Sequence, residues 1–259
     1  MAAPDDLLDP HERPGPPGTR VVTPELPGSV VIRRDADELI DAVATDLFLH
    51  AGACVRQFGD FQLALSAWPD VEPLLLRLLY DPRYRDLPWR RTHLWVVEDN
   101  LAPGASFFPL IEESIVAQAD IPEEQVHRPS AWYEREFKEV LGWREKGHDR
   151  LDYVMLPLLA GGTTQGAPLH AKGDPLFVVN DERVRMTGRL LGATRFIATV
   201  ALGPGMKQAI RDVPLARPSP GVLLARDVQP LGGERRWYVE EQACEPKPPP
   251  PARPAIPLE

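Results

Sequence analysis

Short apolar runs alternate with amphipathic segments along most of this chain. The runs predict strands because they are rich in β-branched and aromatic residues and are bounded by polar or turn-forming residues. The predicted strands cover residues 30–32, 61–66, 93–97, 152–159, 177–179, 184–187, 196–202 and 221–224. The run 93–97 is apolar at nearly every position, which is typical of a parallel strand that helices cover on both faces.

The segments between these runs carry the signals of helices. Asp35 followed by Glu38 predicts a helix start with a variant of the capping box, and Asp70 is expected to cap the next helix. Apolar residues recur at helical spacing after each start. These residues are Leu39, Ile40, Val43 and Leu47 in the first helix, and Val71, Leu74, Leu75, Leu78 and Leu79 in the second.

Later segments at 107–118 and 131–143 are also predicted to be helical, the second with Trp132 on its apolar face, and a short helix is predicted through 210. Strands that alternate with helices form βαβ units. The predicted fold class is therefore α/β, a three-layer, mostly parallel Rossmann-like sheet with helices on both faces. Ligands of such sheets bind outside the carboxyl ends of the strands. The loops to search for chemistry follow Leu65, Val97, Leu159 and Leu202.

Charge and composition narrow the range of partners. The net charge of −9 over 259 residues disfavours broad binding to nucleic acids or anionic membranes. No apolar run approaches the roughly 20 residues of a membrane span, and the acidic N-terminus does not resemble a signal peptide. Cys54 and Cys244 are far apart and lack metal-ligand neighbours. The predictions are a cytoplasmic location, two free thiols, no metal and no cofactor.

Prolines crowd both ends of the chain. Such segments propagate neither a helix nor a strand ladder and bury little apolar surface. We therefore predict a Pro-rich mobile tail at 1–27, one folded domain at 28–244 and a second Pro-rich tail at 245–259. The run 248–251 favours polyproline II, so a docking motif for another protein is an alternative to an inert tail.

The segment 152–168, Asp-Tyr-Val-Met-Leu-Pro-Leu-Leu-Ala-Gly-Gly-Thr-Thr-Gln-Gly-Ala-Pro, resembles a family signature. It is similar to the D-L-x-L-L-G-x-G-x-D-G-H-T-A-S-L-F-P motif of the 6-phosphogluconolactonase family. The resemblance runs from about Val21 to Ala243 and extends more distantly to glucosamine-6-phosphate isomerases. It implies a lactonase/isomerase-type fold with a sugar-phosphate site built from four loops.

The catalytic His of that family falls on Thr163. A Thr hydroxyl is not basic near neutral pH, whereas an imidazole titrates near 6.5. His170, which lies downstream, and Glu98 are the candidate substitute bases. Gly161 and Gly162 precede Thr163, and they either form an anion-binding nest or a plain glycine turn after the strand.

The other three loops also depart from the family pattern. In the phosphate loop only Ser66 matches, and Trp68 replaces a glycine, either as a plug or as a sugar-stacking ring. In the second loop Glu98 and Asp99 are kept in swapped order, while the family's Arg becomes Asn100 and its Asn becomes Phe107. These adjacent acids are candidates either for acid/base chemistry or for capping the next helix. The resemblance retains two cations, Arg185 and Lys207, as candidate phosphate partners.

Together these departures predict a 6-phosphogluconolactonase-like protein related to the pentose phosphate pathway. We expect a pseudoenzyme that binds a sugar phosphate or a protein partner. Two alternatives stay open. One is an active lactonase, a carboxylic ester hydrolase that uses His170 or Glu98 as its base. The other is a different, less charged ligand on the same scaffold, which Trp68 and Phe107 favour.

Overall fold

A six-stranded sheet forms the centre of the fold. The computed structural model describes residues 21–102, 104–142, 144, 149–168, 175–180, 182–203 and 205–248. Within them the sheet has the strand order β2-β12-β10-β6-β3-β4, and every neighbouring pair is parallel. Its strands are β2 (Ser29–Arg33), β3 (Phe61–Leu65), β4 (Thr92–Val96), β6 (Tyr153–Pro157), β10 (Phe196–Ala201) and β12 (Glu234–Glu240). The predicted mostly parallel α/β sheet is confirmed.

Helices and a smaller sheet cover the two faces. The helices are α1 (Ala36–Phe58), α2 (Glu72–Tyr80), α3 (Phe108–Ile111), α4 (Tyr133–Leu141), α5 (Gly188–Gly192) and α6 (Met206–Asp212). The smaller sheet has the order β5-β9-β8 and comprises β5 (Glu98–Asn100), β8 (Phe177–Val179) and β9 (Arg183–Met186). Apolar side chains of α1 and α2 form one core cluster, and those of α4 and the smaller sheet form a second. Burial of both sheet faces explains why β3, β6 and β10 contain only buried residues.

The start of α1 follows the sequence prediction. The Asp35 side chain accepts a hydrogen bond from the Glu38 amide at 2.9 Å, which satisfies one of the amides that a helix start leaves unpaired. The Glu38 carboxylate in turn accepts from the Arg34 amide at 3.2 Å. The helix ends at Gly59, whose φ of 91° suits glycine at a left-handed C-cap.

Two details of the predicted helices are wrong. Asp70 does not cap α2: it lies inside a 3₁₀ turn over Pro69–Val71, and Val71 is the N-cap residue of α2. Pro69 favours the first position of a turn because its φ is already fixed, so the turn begins before Asp70. Trp132 does not join the apolar face of α4. It stands at the N-cap with 70% of its surface exposed.

The sequence analysis did not find β12. Arg235 and Arg236 interrupt its apolar pattern, yet both are held within the protein. The Arg235 guanidinium donates to the Val228 carbonyl oxygen at 2.6 Å, and Arg236 pairs with the buried Asp46. The segment 221–224, predicted as the last strand, contributes only β11 (Leu223–Leu224), which pairs with β7 (Thr163–Thr164) outside the central sheet.

The inner ends of both Pro-rich segments belong to the folded part. Strand β1 (Val21–Val22) pairs antiparallel with β13 (Glu245–Pro246). The domain boundaries at 27 and 245 stay a prediction: residues 21–22 and 245–246 pair with each other, and 1–20 and 249–259 lie outside the described residues. In the described part of the chain, no helix is both long enough and apolar enough to cross a membrane.

Candidate functional site

The loop after β3 lies beside the end of β6. The Ser66 amide donates to the Met155 carbonyl oxygen at 3.1 Å, which continues the pairing of the two strands for one more residue. Ser66 is fully buried, and its Oγ has no hydrogen-bond partner among the described residues. Trp68 is half-buried against the first core cluster, so its ring fills space beside the core.

The two acids after β4 have different roles. Asp99 is buried and accepts hydrogen bonds from Ser106 Oγ at 2.6 Å, the Phe107 amide at 2.7 Å and the Phe108 amide at 3.2 Å. It therefore holds the start of α3, as the capping alternative expected. Glu98 faces the loop after β6, called the glycine loop because it contains Gly161, Gly162 and Gly166. There its Oε2 accepts a hydrogen bond from the Gly166 amide at 2.9 Å.

The loop after β6 connects the other two loops. Gln165 Nε2 donates to the Ala67 carbonyl oxygen at 3.0 Å, and the Gly166 amide reaches Glu98. Gly161 and Gly162 both have positive φ, 70° and 69°. A side chain at Gly162 would lie 2.8 Å from the Val213 backbone, so this glycine allows the loop to pack directly on the end of α6.

Thr163 occupies the position that the resemblance assigns to a general base. Its Oγ1 donates a hydrogen bond to the Ala160 carbonyl oxygen at 3.0 Å. The hydroxyl thereby closes the turn through Gly161 and Gly162. A hydroxyl that donates its hydrogen to a carbonyl oxygen is not a base, so it does not take a proton from water. The other candidate base, His170, lies outside the described residues.

Arg185 lies on β9 directly across from Glu98 in the strand register. Its Nη1 donates to the Gly221 carbonyl oxygen at 2.9 Å, and its buried Nε has no partner within the described residues. Arg183, two residues earlier on the same face of β9, donates to Asn100 Oδ1 at 3.0 Å and to Glu98 Oε1 at 3.3 Å. The sequence analysis missed Arg183. The signal for it was the alternation of Arg183 and Arg185 along one strand.

Lys207 is less closely tied to this group. It lies in the first turn of α6, where its Nζ pairs with Glu245 Oε2 at 3.1 Å. Its charge is therefore balanced by a carboxylate from β13. Phe107, at the start of α3, exposes 49% of its surface.

The carboxyl edge of the sheet thus gathers Ser66, Glu98, Gly161–Gly162, Thr163 and Arg185 through a continuous set of loop contacts. Ser66 Oγ, Gln165 Oε1 and Arg185 Nε are buried there without partners among the described residues. Buried polar atoms are normally paired, so at this edge a hydroxyl, an amide oxygen and a guanidinium nitrogen, in that order, lack the partners that they would usually have. Within the described part of the chain, no group of three or more His, Cys, Asp or Glu side chains is placed to hold a metal ion.

This mostly parallel six-stranded sheet with helices on both faces matches the fold of solved 6-phosphogluconolactonases and of a glucosamine-6-phosphate deaminase. Solved structures that share it include the devB protein, with a TM-score of 0.66 at 20% identity over 83% of this chain and 98% of that one. Another is the 6-phosphogluconolactonase from Thermotoga maritima, with a TM-score of 0.65 at 18% identity over 82% of this chain and 99% of that one. A monomeric glucosamine-6-phosphate deaminase aligns with a TM-score of 0.61 at 12% identity, covering 83% of this chain and 98% of that one.

Curated sequences support the same resemblance. The human GDH/6PGL endoplasmic bifunctional protein is 23% identical over 93% of this chain, and the rabbit protein (Oryctolagus cuniculus) is 23% identical over 94%. The chain spans only 33% of the length of each of these relatives. No known family profile matches the chain. At these identities the comparisons establish the fold, and the activity is a separate question.

Proposed function

We propose that this protein is a 6-phosphogluconolactonase-like pseudoenzyme, related to the pentose phosphate pathway, that binds a sugar phosphate without hydrolysing a lactone. One observation carries the proposal. Thr163 lies where the resemblance places a general base, and its hydroxyl donates a hydrogen bond to the Ala160 carbonyl oxygen. Loss of a general base typically lowers a rate by about 10²–10⁴-fold.

Binding is supported by groups that remain at the same edge. Arg185 brings a guanidinium whose Nε is unpaired among the described residues, and Ser66 Oγ is buried and unpaired likewise. Gly161 and Gly162 form a left-handed pair in the same loop that contacts Ala67 through Gln165 and Glu98 through Gly166. Arginine recognises phosphate through charge-assisted hydrogen bonds, so a phosphorylated sugar suits this edge better than a neutral one.

Glu98 supports a second candidate, an active lactonase with a carboxylate base. Its side chain already contacts the loop of Thr163 through the Gly166 amide at 2.9 Å, and 20% of the side chain is exposed. However, Arg183 Nη1 contacts its other oxygen at 3.3 Å. Both carboxylate oxygens therefore have structural partners, which favours a positioning role for Glu98.

Calorimetry with 6-phosphogluconate, together with lactone hydrolysis corrected for spontaneous ring opening, tests the proposal. We expect binding without hydrolysis, and weaker binding by about tenfold for Arg185→Gln, since a hydrogen bond to a charged group contributes roughly 1.5–3 kcal/mol. The Thr163→His variant should hydrolyse the lactone roughly 10²-fold faster than the natural chain does, with unchanged binding. Thr163→Gln is the matched control and should stay inactive.

Hydrolysis by the natural chain well above the spontaneous rate would overturn the proposal, and its loss in Glu98→Gln would establish the second candidate. Absence of both binding and hydrolysis would reject the sugar-phosphate ligand. The cytoplasmic location and a protein partner for the Pro-rich run remain predictions; residues 249–251 of that run lie outside the described residues.

A further inference from the structure

A cavity lies at the edge of the central sheet opposite to the candidate site. Its volume is about 520 Å³, and part of its wall comes from Arg150, Ala193 and Leu231. These residues precede β6, β10 and β12, respectively, so the cavity lies at the amino ends of parallel strands. The candidate site described above is at the carboxyl ends. The two sites are therefore separate, and the volume is within the usual range of about 300–1,000 Å³ for small-molecule pockets.

One wall of the cavity is apolar. Phe137 and Leu141 lie on the inner face of α4 and line it together with Leu176. Leu231 completes the rim with 80% of its surface exposed. Phe137 and Leu141 themselves are almost fully buried, so a planar or aliphatic group of a ligand would cover mainly the half-buried Leu176 and the exposed Leu231.

The rest of the wall is cationic, in a chain whose net charge is −9. Among the described residues that line it, Lys138, Arg150 and Arg189 are basic and Asp149 is acidic. Lys138 is paired with Glu134 at 2.6 Å. Basic side chains therefore outnumber acidic ones in the described part of this wall.

Arg150 is the least compensated of these cations. Its Nε is buried without a partner within the described residues. Its carbonyl oxygen accepts from Arg144 at 3.2 Å, which holds the backbone at the cavity wall. Burial, followed by repulsion from Arg195, lowers the pKa of the Arg150 guanidinium. A nearby anion would favour the charged form of Arg150 and so oppose this lowering of its pKa.

We propose that this cavity binds a small amphipathic organic anion, with its apolar group against Leu176 and Leu231 and its acidic group toward Arg150. The site is independent of the carboxyl edge, so the proposal does not rest on sugar-phosphate binding.

Fluorescence titration of the full chain with 8-anilinonaphthalene-1-sulfonate tests it, because this probe joins an aromatic system to one sulfonate. We expect saturable binding at one equivalent. N-phenyl-1-naphthylamine has the same ring system without the sulfonate, and it should bind at least tenfold more weakly. Equal affinity for the two probes, or no saturable binding, would overturn the proposal.

Variants at the exposed rim locate the site without threatening the fold. Leu231→Glu should weaken sulfonate binding by about tenfold through charge repulsion and loss of apolar contact, whereas Leu231→Lys should bind at least as tightly as the natural chain. Arg150→Gln should weaken it by a similar factor. Leu215→Glu is the matched control, since Leu215 is 74% exposed and does not line the cavity. Equal affinities of the two Leu231 variants, or a change in the Leu215 control as large as that of Leu231→Glu, would contradict the assignment.

Discussion

Asp99 shows how one buried side chain organises a loop beside the candidate site. Its two oxygens accept from Ser106, Phe107 and Phe108, and only 2% of the residue is exposed. A charged acceptor in this position satisfies amides that the start of α3 would otherwise leave unpaired. Of the two alternatives that the sequence left open for this acid, acid/base chemistry or capping of the next helix, its contacts match capping.

The Asp99→Ala variant is expected to lose roughly 2–4 kcal/mol of unfolding free energy, because several buried donors lose their acceptor. Asp99→Asn keeps the shape and one acceptor oxygen and should lose less. Urea unfolding of both variants measures the difference. A loss below about 0.5 kcal/mol for Asp99→Ala would mean that water replaces the carboxylate.

Two histidines in contact, the buried His127 and the partly buried His93, make stability depend on pH. His93 Nδ1 and His127 Nε2 are 3.0 Å apart and share one hydrogen bond, and His127 Nδ1 lies 2.6 Å from Glu136 Oε1. Burial lowers the pKa of His127 to about 4. For His93, burial and then the charge of His127 lower the pKa to about 4. Both rings are therefore neutral in the fold near pH 6, where unfolded histidine already binds protons.

Because the pKa values are depressed in the fold, the unfolded state binds more protons between about pH 6.5 and 4, and stability falls as pH decreases through that window. At pH 5 the loss relative to pH 7.5 is roughly 2 kcal/mol for each histidine. Urea unfolding at the two pH values measures it. His93→Gln should lose roughly 2 kcal/mol less over the same range; an unchanged pH dependence would show that other groups dominate.

At the scale of elements, the glycine loop after β6 determines how the site is assembled. It contacts the loop after β3 through Gln165, the loop after β4 through Gly166 and the end of α6 through Gly162. Two consecutive residues with positive φ, Gly161 and Gly162, make this turn possible.

These two glycines offer a matched comparison. Gly161→Ala should cost roughly 1–2 kcal/mol, because only the backbone conformation opposes it and nothing lies within 4 Å of the added carbon. Gly162→Ala has the same backbone cost, and its new carbon would lie 2.8 Å from the Val213 backbone, which adds about 1–3 kcal/mol of overlap. Thermal unfolding of both variants checks the order; equal losses would mean that the loop moves away from α6 freely.

At the scale of the whole molecule, the first and last strands of the described chain pair with each other. The β1–β13 pair joins Val21–Val22 to Glu245–Pro246. Glu245 also pairs with Lys207 and accepts a hydrogen bond from Arg211 Nε at 2.5 Å. This contact ties the ends of the chain to α6, which itself packs on the glycine loop.

Truncation after Cys244 should therefore lower the melting temperature by roughly 4 °C, since it removes the ladder and the partner of Lys207, and a loss of 1 kcal/mol corresponds to about 2–4 °C for a domain of this size. Truncation after Pro248 keeps both contacts and is the control, with no expected change. Calorimetric scans of the two chains distinguish the outcomes. Equal melting temperatures would mean that residues 245–248 do not stabilise the fold, and would support the predicted domain boundary at 245.

The local sequence determined the elements whose signals are complete within a few residues. The α1 cap at Asp35 and the apolar strands β3, β4, β6 and β10 are of this kind, and with their alternation came the parallel sheet. The Thr at position 163, where the resemblance places a His, is likewise visible in the sequence because the identity of a side chain does not depend on the fold.

Only the tertiary structure decided features whose partners are distant in the chain. Strand β12 is hidden in the sequence because Arg235 and Arg236 break its pattern, and distant partners such as Val228 and Asp46 make their burial tolerable. The separate roles of Glu98 and Asp99, the position of Arg183 beside Glu98 and the cavity at the amino ends of the strands also depend on long-range packing. Side-chain burial and pairing are properties of the folded neighbourhood, so no local pattern encodes them.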